Sequence, residues 1–175
     1  MENFKEKLTR VDTFVFDVDG VFTDGGIVPL PDDEFLRTYY AKDGYAVTYA
    51  ISEGYKIYIL TGGRGEILRQ RFEKLKVTGL LSNVADKCAA LRGLAEKEGL
   101  DLANTVYVGD DIPDLGVMGM VGLPVCPADA CPEVLEASAY ISQYPGGHGC
   151  VRDIIEQVLR ARGSWLKHTV GMHTV

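Results

Sequence analysis

Apolar residues fall along this chain in short blocks whose spacing changes from one block to the next. Thr13 to Val18 (TFVFDV) is rich in aromatic and β-branched residues and runs into Asp-Gly, which predicts a buried strand ending in a turn. From Phe22 to Tyr40, apolar pieces alternate with Asp-Gly-Gly, Pro29, Pro31 and the pair Asp32-Asp33, so a β-hairpin flap turning near Pro31 to Asp33 is expected. A short helix around Gly44 to Ser52 comes next. Tyr55 to Leu60 (YKIYIL) predicts a second strand closed by Thr-Gly-Gly, after which Ile67, Leu68, Phe72 and Leu75 recur at helical spacing. Asp86 to Glu98 carries Cys88, Leu91, Leu94 and Ala95 on one helical face, and Thr105 to Gly109 (TVYVG) forms a third strand ending in Asp-Asp. Short strands are expected near Gly122 to Val125 and Ala139 to Ser142. Beyond the glycine-rich Pro145 to Gly149, Ile154, Ile155, Val158 and Leu159 mark a last amphipathic helix, with a weakly patterned tail over 163–175.

Strands alternating with helices predict an α/β fold: a three-layer, Rossmann-like parallel sheet with helices on both faces, plus the hairpin flap, in one domain over 1–175. Ligands of such open sheets bind beyond the carboxyl ends of the strands, and three of these strands end in Asp, Thr or Asp-Asp. Asp17 and Asp19 flank Val18, so two carboxylates can face one crevice while Gly20 lets the backbone turn. Taken alone, Asp-x-Asp-Gly reads equally well as a plain turn. Asp110 and Asp111 add a second acidic cluster for a divalent cation, with Asp114 close enough to support their loop. Mg²⁺ takes about six oxygens and keeps several waters, so two carboxylates and one backbone carbonyl suffice. Thr61 offers a hydroxyl and a backbone N–H to a phosphoryl oxygen, and Lys87, at a helix start, offers a cation. Together these residues make the inventory that phosphoryl transfer requires.

In order along the chain, DVDGVFTDG, LTGGR, Lys87 and GDD resemble the four motifs of the haloacid dehalogenase superfamily. The resemblance implies Asp17 as nucleophile, and Asp19 as acid/base that also lends its backbone carbonyl to Mg²⁺. It further implies Asp110 as a metal-binding carboxylate and Thr61, Gly62 and Lys87 as phosphate binders. The intervals from Asp17 to Thr61 and from Thr61 to Lys87 are too short for the family's usual cap domains, which leaves the site open unless another subunit covers it. D-x-D-G-V-x-T-D-G, T-G-x-R, G-D-D-x-x-D and a late G-G-x-G-x-V-R narrow the resemblance, over 12–162, to the capless, tetrameric phosphatases of 3-deoxy-D-manno-octulosonate 8-phosphate. That implies a sugar-phosphate substrate, a homotetramer assembled through the hairpins, and a hinge and clamp at Gly146 to Arg152. The tail after Arg162 matches nothing in the pattern.

For substrate selection, Arg64 and Arg71, about two helical turns apart after Thr61, can both reach toward a sugar-acid carboxylate, although a solvated helix face explains them too. The competing relatives act on 2-keto-3-deoxy-nononate 9-phosphate and carry T-G-E-K where this chain has T-G-G-R. Gly63-Arg64 therefore favours the octulosonate. His148 beside glycines reads as an incidental loop residue, and His168 and His173 fall in the tail. Tyr39, Tyr40 and Tyr45 suit the flap, an interface or the core alike, and Trp165 either docks the tail or is exposed.

Charge and cysteine content narrow the setting. Lys plus Arg number 18 against 25 Asp plus Glu, a net charge of −7, which argues against a broad nucleic-acid or anionic-membrane surface. The N-terminus lacks a signal-peptide core and no apolar run reaches the ~20 residues of a membrane span, so a cytoplasmic protein is expected. Cys88, Cys126, Cys131 and Cys150 make no C-x-x-C pair and read as reduced, structural thiols. A two-component receiver domain uses similar residues, but it phosphorylates an Asp on its third strand and then adds Thr and Lys; here Thr61 and Lys87 precede the third strand's acidic pair. An inactive sugar-phosphate binder is the other rival, and both active carboxylates are present.

Overall fold

The computed structural model describes residues 4–167. In chain order the elements are α1 (Phe4–Arg10), β1 (Thr13–Phe16), β2 (Val28–Pro29), β3 (Phe35–Leu36), α2 (Ala41–Ser52), β4 (Lys56–Leu60), α3 (Glu66–Lys74), β5 (Gly79–Leu81), α4 (Lys87–Glu98), β6 (Thr105–Val108), α5 (Leu115–Met118), β7 (Leu123–Cys126), α6 (Pro132–Ala137), β8 (Tyr140–Ile141) and α7 (Cys150–Ala161). Six strands form one parallel sheet in the order β5-β4-β1-β6-β7-β8, while β2 and β3 pair antiparallel as the expected hairpin.

Side chains of the central strands alternate between two cores, which is why these strands are apolar at nearly every position. Phe14, Phe16, Ile57, Ile59, Val106 and Val108 point to the layer containing residues of α2, α3 and α7. Val15, Tyr58, Leu60 and Tyr107 point to the opposite layer, against α4, α5 and α6. The three-layer α/β architecture is thus present, and the flap occupies the interval between β1 and α2.

Four predicted boundaries shift and several elements are added. The helix expected from Gly44 begins at Ala41, and the last helix begins at Cys150. Asp86 is the N-cap of α4 rather than part of it, its side chain accepting the Ala89 N–H at 2.9 Å. The helix after Thr61 begins only at Glu66, so Arg64 lies in the preceding loop and does not share a helix with Arg71. Strand β5 and helices α1, α5 and α6 are additional. Trp165 docks the segment after α7: its ring packs edge-on against Tyr49 at 5.2 Å, and the Arg152 guanidinium lies over it. His168 and His173 lie outside the described residues.

Candidate active site

β1 pairs with β4 on one side and β6 on the other, with Phe16 opposite Ile59 and Val108. The carboxyl ends of these strands therefore lie side by side at the point where strand order reverses, and the residues just beyond them share one crevice. Asp17 continues the ladder by donating its N–H to Val108 O at 2.9 Å. A cavity of about 880 Å³ opens there, lined by Asp17, Asp19, Thr61, Gly62, Lys87 and Asp110 among others. All six predicted catalytic, phosphate-binding and metal-binding positions near the motifs thus meet at one place.

Lys87, first residue of α4, reaches Asp17 Oδ2 at 3.0 Å and donates to Asp114 Oδ1 at 2.7 Å. Burial alone works against its ammonium, but Asp17 and Asp114 outweigh it and leave the pKa above its ordinary value. Asp114 is itself saturated, accepting also from the Tyr107 hydroxyl at 2.6 Å and from the Asp110 and Asp111 N–H groups at 2.9 and 3.3 Å. It supports the acidic loop, as its spacing suggested, and orients Lys87.

Asp17, Asp110 and Asp114 offer carboxylate oxygens all within 4.8 Å of one another. Burial raises Asp17 to about 6, with Lys87 opposing the rise and Asp114 adding to it. Burial, then Asp17, Asp114 and Asp111, raise Asp110 to about 7. With Lys87 already shared by two carboxylates, this concentration of negative charge in a buried place fits a divalent cation. Asp114 is committed to its four donors, so Asp17 and Asp110 are the carboxylates left for it.

Thr61 departs from expectation in one respect. Its backbone N–H donates to Leu81 O at 2.9 Å, continuing the β4–β5 pairing, and so does not face a ligand. Its Oγ1 accepts the Gly63 N–H at 3.0 Å, which leaves the hydroxyl proton to be donated.

The loop after β1 is held tightly. Val18 O accepts the N–H groups of Val21, Phe22 and Thr23, at 2.9–3.2 Å, and Gly20 has φ of 87°. A Cβ on Gly20 would lie 1.9 Å from Asp110 Oδ2, so glycine is required both by the turn and by the close approach of the Asp110 loop. From below, Gly146 and Gly147 pack directly on the backbone of Gly20 and Thr23, Gly147 N–H donates to Val21 O at 2.9 Å, and Cys150 Sγ reaches the same carbonyl. Within this chain the segment from Gly146 to Arg152 buttresses the loop that follows Asp17. The His148 Nδ1 lies 2.8 Å from Gly146 O, and its ring centroid is 6.3 Å from that of Tyr40.

Arg64 and Arg71 do not line the cavity. Arg64 forks onto Asp33 at the flap tip, at 2.5 and 2.7 Å, with both side chains half exposed. Arg71 lies over the Tyr39 ring, 5.1 Å from its centroid, and its buried Nε has no hydrogen-bond partner among the described residues. A residue that sequence reasoning did not reach, Arg37, forks onto Asp19 instead. Arg37 sits eighteen positions from Asp19 in a flap of irregular pattern, and no local periodicity signals such a pair.

The model of the haloacid dehalogenase-like hydrolases matches residues 77–154. The 3-deoxy-D-manno-octulosonate 8-phosphate phosphatase of Escherichia coli K12 is 34% identical over 157 residues, covering 90% of this chain and 84% of that protein. The crystal structure of the Yersinia pestis phosphatase of the same name superposes with a TM-score of 0.88 at 32% identity, over 91% of this chain and 86% of that one. That of Moraxella catarrhalis, in complex with magnesium ion, phosphate ion and KDO, gives 0.86 at 30% identity, with 91% of both chains covered. Among the described residues no helix is long and apolar enough to cross a membrane. With the four motifs gathered at one strand-end cavity and a relative of this identity matched along nearly its whole length, the chain belongs to the haloacid dehalogenase-like hydrolases.

Proposed function

We propose that this chain is a Mg²⁺-dependent phosphatase that forms a phospho-aspartate on Asp17 and releases phosphate from 3-deoxy-D-manno-octulosonate 8-phosphate in the cytoplasm, for lipopolysaccharide sugar biosynthesis. The observation that carries the chemistry is the contact of Lys87 with Asp17 in a cavity shared with Asp19, Thr61 and Asp110. The substrate rests on the relatives' names and coverage.

An oxygen of Asp17 attacks phosphorus while the bond to the sugar oxygen breaks, and Asp19 gives its proton to that departing oxygen. Asp19, now a carboxylate, takes a proton from water as the water oxygen attacks the phospho-aspartate. The bond from phosphorus to Asp17 then breaks, inorganic phosphate leaves, and both aspartates return to their starting states. Lys87, the Thr61 hydroxyl and the Gly62 N–H bind the phosphoryl oxygens. Mg²⁺ held by the Asp17 and Asp110 carboxylates and the Asp19 backbone carbonyl supplies positive charge for the transfer.

Cation binding must displace protons from the raised carboxylates, so its affinity falls as pH drops through 7 and then 6. Between pH 8 and pH 5.5 the apparent Mg²⁺ affinity is expected to weaken on the order of 100-fold if both carboxylates must be ionised. Calorimetric titration in buffers of different ionisation enthalpy reads both the affinity and the released protons. A constant affinity across this range overturns binding through carboxylates raised to about 6 and about 7.

Arg64 is the proposed contact for the sugar-acid carboxylate, since Asp33 now fills its fork with a carboxylate. Arg71, turned onto Tyr39, is not assigned to the substrate. The flap leaves Ile27, Val28, Leu30 and Leu36 between 38% and 55% exposed, an apolar strip that supports assembly of a homotetramer through the hairpins. Phosphate release from the octulosonate and the nononate phosphates, measured with Mg²⁺ over a dilution series of enzyme, tests both points. We expect kcat/KM to favour the octulosonate at least tenfold, and specific activity to fall as the tetramer dissociates. Preference for the nononate reassigns the substrate, a fully active monomer removes the assembly, and no release from any sugar phosphate removes the phosphatase.

A further inference from the structure

Arg37 lies immediately after β3, at the base of the flap, with its side chain only 3% exposed. Its Nε donates to Asp19 Oδ1 at 2.7 Å and its Nη2 to Asp19 Oδ2 at 3.0 Å. A two-bond fork of this kind fixes the plane of a carboxyl group as well as its position. The guanidinium has little room to move. The Phe35 ring centroid is 5.7 Å from its Cζ, and a Cβ on Gly63 would come within 3.0 Å of Nη2, so it stands between Asp19 and the Thr61–Gly63 turn.

The flap segment leading to Arg37 is itself tied to the start of α3, on the Thr61 side of the cavity. Glu34 accepts the Glu66 and Ile67 N–H groups at the start of α3, at 2.5 and 3.2 Å, and Asp33 holds Arg64. The flap is thus latched at two places outside the cavity, and its most buried cation is spent on a residue of the reaction itself. A purely structural latch has no need of that partner, because Glu34 and Asp33 already fasten the flap to α3.

We propose that Arg37 is a positioning residue whose fork sets the plane of the Asp19 carboxyl group and, by keeping its bond to one oxygen when Asp19 carries its proton, aims the other oxygen toward the leaving oxygen, coupling a docked flap to proton donation. This rests on the reading of Asp19 as the acid/base. A mispositioned acid harms the expulsion of an alkoxide, which needs a proton, more than the expulsion of 4-nitrophenolate, which leaves without one. The decisive quantity is the ratio of kcat/KM for an alkyl sugar phosphate to kcat/KM for 4-nitrophenyl phosphate.

Arg37→Met is expected to lower that ratio at least tenfold, and Arg37→Lys, which keeps the charge but loses the fork, to lower it by a smaller factor. A ratio equal to wild type, with both substrates slowed alike or neither slowed, overturns the proposal. If Arg37→Met does not fold by circular dichroism, Arg37→Lys decides, and a ratio within twofold of wild type overturns the role. Asp19→Asn in the same assays separates the two layers: a lowered ratio there with an unchanged one in the Arg37 variants defeats the positioning role alone. An unchanged ratio in Asp19→Asn defeats the acid/base reading and the Arg37 proposal with it.

Discussion

Replacing Asp17 with Asn is expected to lower phosphate release by at least ~10⁴-fold while the chain still folds. The carboxamide keeps the volume of a side chain whose residue is only 7% exposed, and the backbone bond to Val108 is untouched. It has no oxygen able to form the phospho-aspartate. Lys87 is not left alone either, since Asp114 still accepts from it. The stability change has a definite sign as well. Asp17 is raised to about 6 chiefly by burial, so the folded chain binds this proton more tightly than the unfolded one, and ionising Asp17 costs stability as pH rises through that value. Asn carries no such cost, so without metal the variant melts no lower than wild type at pH 8. Thermal melts and a phosphate assay check both parts, and near-normal turnover refutes the nucleophile.

Asp19→Asn is expected to cost ~10²- to 10⁴-fold in kcat, the usual worth of a general acid/base. The substitution leaves the backbone carbonyl in place, so Mg²⁺ affinity should stay within about threefold of wild type, which distinguishes loss of proton transfer from loss of the metal. The amide also accepts a bond from Arg37 through its single oxygen, so the flap keeps part of its attachment. A loss of less than tenfold in kcat counts against the role.

The chain's pattern located the residues that line the cavity better than those that enclose it. β1, β4 and β6 were legible because both faces of each strand meet an apolar layer, so every residue from Phe14 to Phe16 or Ile57 to Leu60 had to be apolar or aromatic. Asp17, Thr61 and Asp110 were legible because each lies just beyond such a strand. β5 was missed: it has three residues, and Gly79 is glycine because a Cβ there would press within 2.9 Å of the Tyr58 ring, a constraint with no periodicity. Helix α1 was missed because it buries only Leu8. Arg64 and Arg71 were grouped by helical spacing, but the chain between them is not continuous helix, and each guanidinium found a partner elsewhere, Asp33 for one and the Tyr39 ring for the other. Arg37 and Asp19 are joined only by the folding of the flap, and long-range ion pairs leave no mark on local sequence.

The two glycines that press against Gly20 and Thr23 tie the loop of the first strand to a segment far along the chain. Asp17 lies at the end of the first strand, yet that strand is central, needing β4 on one side and β6 on the other, and its loop rests on residues near the far end of the chain. Without Gly147 the loop after Asp17 lacks the bond to Val21 O that holds it from beneath. The support under this loop is therefore complete only when the segment leading into α7 is in place.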